Sequence, residues 1–122
     1  MNNTSKWNVP LITLFDYLFS GRSVCNEDIS QRNVSNATSM VGMFSVATWF
    51  NQDISQWNLS NVTNMTSIFL GAIMFNQDSI YWNMSYVMTT ISMFKDASSF
   101  DQCLFGWNLT KVTDFIMFTG AT

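Results

Sequence analysis

A period of 25 residues constrains this chain more than any other feature. Trp-Asn recurs at Trp7-Asn8, Trp57-Asn58, Trp82-Asn83 and Trp107-Asn108, with Arg32-Asn33 in the remaining slot. Phe-Asn-Gln-Asp stands at 50–53 and again at 75–78, and drifts to Phe-Asp-Gln-Cys at 100–103. Repetition in this range marks an array in which each unit touches only its neighbours and buries its apolar face against them. The coils run 7–31, 32–56, 57–81, 82–106 and, in part, 107–122. These coils, about four and a half, exceed the roughly three that such an array needs for stability. One domain over 1–122 is expected, and because the last coil stops partway the chain reads as a fragment or a short member of a longer array.

Columns of the repeat that stay apolar predict its interior. Phe19, Phe44, Phe69, Phe94 and Phe118 form the core column, joined by Val62, Val87 and Val112 and by Phe50, Phe75 and Phe100. Ala47, Ala72 and Ala97 keep a small residue between ring layers, where a larger one would overpack. Met65, Ile68, Phe69 and Ala72 lie at i, i+3, i+4 and i+7, the apolar stripe of a short helix, with Thr63 or Asn64 as its N-cap and Gly71 at its end. Ile54 to Leu59 predicts a short strand stacked in parallel on its neighbours. Each coil is expected to have a strand side and a helix side.

Charge narrows the function classes. Five Lys plus Arg against eight Asp plus Glu give a net charge of −3 with no basic run, so the electrostatic footprint of a nucleic-acid binder is missing. The most apolar stretch, Val9 to Phe19, is interrupted by Pro10 and Asp16 and is shorter than the ~20 residues of a spanning helix. It falls on the repeat, so it reads as a worn first coil and not as a signal peptide. There is no His, the usual general base, and no Ser, Cys or carboxylate stands in a motif different from its repeat equivalents. No catalytic residue and no cofactor are expected.

FNQDISQWN, NVSNATSM, WNLSNVTNMTSIF and WNLTKVTDF resemble the 25-residue repeat of BspA-like leucine-rich-repeat surface proteins, also described as a domain of unknown function in mycoplasma surface lipoproteins. The resemblance covers nearly the whole chain. It implies an α/β repeat fold, a leucine-rich-repeat-type solenoid with short parallel strands on one side and short helices on the other. It further implies a cell-surface or extracellular protein linked with adhesion. Arg32, the reversed Ser79-Ile80 pair and a residue missing between Phe115 and Phe118 depart from the pattern.

Three columns invite a functional reading. Asn8, Asn33, Asn58, Asn83 and Asn108 read as a structural ladder satisfying backbone groups, with a ligand ladder as the competing idea. Asp28, Asp53 and Asp78, beside Asn26, Asn51 and Asn76, resemble recurring calcium ligands, but the glycines of the calcium β-helix motif are missing and Cys103 breaks the column, so no metal is expected. Trp7, Trp57, Trp82 and Trp107 read as core more readily than as a carbohydrate platform. Cys25 and Cys103 lie three layers apart in the array and are expected to remain unpaired. Sequons at Asn2, Asn3, Asn33, Asn36, Asn58, Asn61, Asn64, Asn83 and Asn108 are largely by-products of the repeat. The expected function is a non-enzymatic recognition or adhesion module that binds protein or glycan through a flank. The alternative is a structural spacer or self-assembling element associating end to end.

Overall fold

The computed structural model describes residues 13–22, 26, 28–114 and 116–118. Within them the backbone returns to the same place every 25 residues, one layer further along a stack. Isolated parallel bridges join Leu14 to Ser39, Ser39 to Asn64 and Asn64 to Thr89. Beside them the N–H groups of Thr38, Thr63, Met88 and Thr113 donate to the carbonyls of Thr13, Thr38, Thr63 and Met88 at 2.8, 2.9, 2.8 and 3.1 Å. The missing residue of the last layer is absorbed locally. Ser92 donates to Ile116, 24 positions on, whereas Phe94 donates to Met117, 23 positions on.

The layers are not built as the sequence predicts. No helix and no strand longer than a single bridge residue occurs among the described residues, so the α/β solenoid of leucine-rich-repeat type, with its helix side and strand side, is corrected to a stack of turns. The predicted helix around 65–72 is a string of overlapping three-residue turns. Ile68 N donates to Met65 O at 3.2 Å, Leu70 to Ser67 at 3.1 Å and Ala72 to Phe69 at 3.0 Å. The donors between them leave the layer: Met65, Ser67, Phe69 and Gly71 donate to Thr89, Ile91, Met93 and Lys95 at 3.1, 2.9, 2.9 and 2.7 Å. An α-helix spends every interior N–H on the carbonyl four residues back and would have none to offer a neighbouring layer.

Positive φ is what frees those donors. Tyr17, Gly42, Ser67 and Ser92 share one repeat position and have φ of 59°, 59°, 57° and 56°; Gly21, Val46, Gly71 and Asp96 share another at 73°, 57°, 68° and 58°. Two left-handed residues four apart interrupt any right-handed run. Side chains are accepted at this φ in Tyr17, Ser67 and Ser92, but at Gly42 a Cβ would lie 2.4 Å from the Tyr17 ring, which would have to move. The turns nonetheless put Met65, Ile68, Phe69 and Ala72 all inside, which is why the stripe mimics a helix.

The predicted strand at Ile54 to Leu59 is likewise replaced. Trp57 N donates to Ile54 O at 3.1 Å and Val62 N to Leu59 O at 3.0 Å, so two turns flank a three-residue extended piece. Their tips are set by Asx turns, in which a side-chain oxygen takes the N–H two residues on. Asp53 Oδ1 accepts from Ser55 N at 2.9 Å and Asn58 Oδ1 from Ser60 N at 3.0 Å.

The interior is a set of aromatic columns. Phe19, Phe44, Phe69 and Phe94 stack at centroid spacings of 5.6 Å, and Phe118 lies on Phe94 at 5.3 Å. Phe50, Phe75 and Phe100 form a second column at 5.9 Å, meeting the first at 4.1, 4.0 and 4.0 Å within each layer. Phe19, Phe44, Phe69 and Phe94 are buried, whereas Phe118 is 44% exposed. Ala47, Ala72 and Ala97 are buried beside the rings. Among the buried polar side chains, Ser45, Ser79 and Thr90, the last stands in the column of Phe15, Met40 and Met65 with no partner for its Oγ1.

Candidate functional site

The Asn column serves backbone groups, turn by turn. Asn33, Asn58, Asn83 and Asn108 are exposed, and their Oδ1 atoms accept from the N–H of Ser35, Ser60, Ser85 and Thr110 at 3.0, 3.0, 3.0 and 3.1 Å. Each thus shapes the turn that follows it; Asn8 lies outside the described residues. The column that does link layers is Asn26, Asn51 and Asn76. Their Oδ1 atoms accept from the N–H of Asn51, Asn76 and Asp101 at 2.9, 2.9 and 2.8 Å. Gln52, Gln77 and Gln102 donate Nε2 to their carbonyls at 2.9, 2.9 and 3.2 Å. With their amides spent on the next layer, these residues hold the stack together and offer little to a cation.

The neighbouring acids are occupied too. Asp28, Asp53 and Asp78 are exposed and accept from Ser30, Ser55 and Ile80 N at 3.0, 2.9 and 3.0 Å. The backbone bond from Ser30 holds Asp28 below the usual carboxylate value, and the Ser55 side chain and backbone do the same for Asp53. No group of three or more Cys, Asp or Glu side chains that could hold a metal occurs among the described residues. Cys103 is a free, exposed thiol, and Cys25 lies outside the described residues. The indoles of Trp57, Trp82 and Trp107 are buried and donate Nε1 to the carbonyls of Ile29, Ile54 and Ser79 at 3.2, 3.0 and 2.7 Å. Trp7 lies outside the described residues. A carbohydrate platform cannot be made from rings so placed.

What the flank does offer sits at the turn tips. In the second layer and at its borders the tips read Ser30-Gln31, Ser35-Asn36, Ser55-Gln56 and Ser60-Asn61. At the same repeat positions further on they read Ile80-Tyr81, Ser85-Tyr86, Phe105-Gly106 and Thr110-Lys111. Tyr81 is 80% exposed, Phe105 93% and Tyr86 53%, and Lys111 Nζ lies 4.7 Å from the Tyr86 ring centroid. The reversed Ser79-Ile80 pair contributes: Ser79 is turned inward where earlier layers have Ile29 and Ile54, leaving Ile80 at the tip. The sequence reading of columns passed over these residues because it weighed only those that repeat. Their signal was a departure from polar equivalents at surface positions.

A family described as "Mycoplasma protein of unknown function, DUF285" matches residues 15–122. The chain belongs to the DUF285 family. The match spans every layer described above, so the stack of turns and the aromatic tips both lie within the family domain. No curated protein and no solved structure matches. No helix among the described residues is long and apolar enough to cross a membrane.

Proposed function

We propose that this DUF285 chain is a non-enzymatic recognition module, displayed at the cell surface or released, that binds protein or glycan through one flank of its stack. The kinship with BspA-like surface proteins that FNQDISQWN and its copies suggest belongs to this reading, as does an adhesive role. The observation that carries it is the replacement of polar turn tips by Tyr81, Tyr86 and Phe105, all exposed. Exposed aromatic side chains rimmed by polar groups are a common sign of an interaction surface. An enzymatic role finds no support in a chain without His, whose carboxylates at 28, 53 and 78 are engaged in shaping turns. The experiment is capture on the immobilised chain of extracellular-matrix proteins and of glycans, repeated with Tyr81→Ser/Tyr86→Asn/Phe105→Ser, which restores the polar character of the equivalent tips. Binding to the parent and not to the variant is expected. Equal capture by both would overturn the flank, and a mass that rises with concentration in the absence of any ligand would favour a self-assembling spacer.

A further inference from the structure

The chemistry of the aromatic flank narrows its ligand. Residues 79–88 and 104–113 contain a single charged side chain, Lys111, and its ammonium lies against the Tyr86 ring. The exposed Asp78, whose carboxylate takes Ile80 N, borders the same tip, so the face carries one charge of each sign and little net charge with which to meet an ionic ligand. Trp82 and Met84 turn inward while Asn83 between them is exposed, so the Asn83–Asn108 column runs between the row of tips bearing Tyr81 and Phe105 and the row bearing Tyr86. The Oδ1 atoms of Asn83 and Asn108 serve their own turns, which fixes each amide with its Nδ2 donors still to be used. Flat apolar rings thus alternate with rigidly held amide donors on a surface of little net charge.

We propose that this face binds a neutral oligosaccharide. Tyr81 and Phe105 lie under the C–H faces of one sugar ring and the face of Tyr86 away from Lys111 under another, while Asn83 and Asn108 donate Nδ2–H to hydroxyls between them. The inference rests on the recognition reading above and names its ligand class. A protein partner fits less well, because a protein interface concentrates its energy in a contiguous, fully desolvated centre, and here the two aromatic rows are parted by exposed amides. The rings are large apolar bodies that, in Tyr, also carry a polar tip, and this suits a ligand that is itself apolar on its faces and polar at its edges.

The test uses the full chain on an array of neutral and acidic oligosaccharides, followed by titration of the tightest neutral binder. Tyr81→Ala, Tyr86→Ala and Phe105→Ala each weaken binding by about three- to tenfold, and Asn83→Ser, which keeps an Asx-type acceptor but removes Nδ2, weakens it similarly. Gln56→Ala and Asn61→Ala, on the polar tips, leave it unchanged. Each ring is exposed, so the variants should melt with the parent, and a melting curve run beside the titration separates lost binding from lost fold. Binding of neutral sugars unaffected by all three ring variants, or binding of acidic sugars only, overturns the proposal. If no sugar binds but a protein ligand is captured and lost with the same variants, the glycan inference fails and the recognition reading stands. If neither sugar nor protein is captured, both fail.

Discussion

Phe44, Phe69 and Phe94 hold the same place in three successive layers with nearly the same partners at nearly the same distances. The tips outside them change from Ser55-Gln56 to Ile80-Tyr81 to Phe105-Gly106. The difference follows from what each position must satisfy. An interior ring has to match the rings above and below it, so a change in one layer is felt in two others. A tip needs only its Asx acceptor and its turn, and the residues displayed there are free to differ. Uniformity inside therefore reports packing in this molecule, while the surface tips are released from that constraint.

The contrast breaks most sharply at Phe69. It is fully buried, stacked at 5.6 Å on both sides and packed on Phe75 at 4.0 Å. Phe69→Ala should cost about 3–5 kcal/mol and unfold several layers together, as a urea titration would show; an unchanged midpoint would mean the column does not carry the stack. Ala72→Leu pushes a larger side chain between those rings and should cost about 1–3 kcal/mol by the same measurement.

Thr90 sharpens the comparison from the other side, being an interior position that departs from its column. Its Oγ1 is buried without a partner, so Thr90→Val, which keeps the shape and drops the hydroxyl, should raise stability by about 1 kcal/mol. A loss would mean the hydroxyl has a partner in solution. The smallest effect belongs to the tips. Asp28 and Asp53 have their folded pKa lowered below the ordinary 3.8 by bonds from Ser30 and Ser55. Their contribution is therefore present above that value and lost as pH falls through the lower folded one. The melting temperature should hold steady from neutral pH down to about 4 and then slip, and Asp28→Asn/Asp53→Asn should lessen the slip.

Much of this was legible in the residues. The period, the ring columns and the small alanines all depend on side-chain size, which a repeat displays directly. The backbone path was not. Met65, Ile68, Phe69 and Ala72 have helical spacing whether the chain is a helix or a run of three-residue turns, because both bring positions three and four apart to one side. The distinguishing clue was faint: Tyr17, Ser67, Ser92, Val46 and Asp96 occupy left-handed backbone, and only the glycines at 21, 42 and 71 hint at it in the sequence. The amides that link layers are hidden in the sequence for a related reason. Asn58 repeats more faithfully than Asn51, yet it shapes its own turn while Asn51 joins two layers, and the choice turns on backbone geometry that no spacing records.

Each layer spends alternate N–H groups on the next layer and not on itself. Scalar couplings across hydrogen bonds, measured on labelled protein by NMR, test it bond by bond. Coupling is expected from Gly42 N to the carbonyl of Thr66, from Phe44 N to Ile68 and from Phe69 N to Met93, where the donor–acceptor distances are 2.9, 2.9 and 2.9 Å. Coupling from Phe69 N to the carbonyl of Met65, the bond an α-helix would make there, would contradict it.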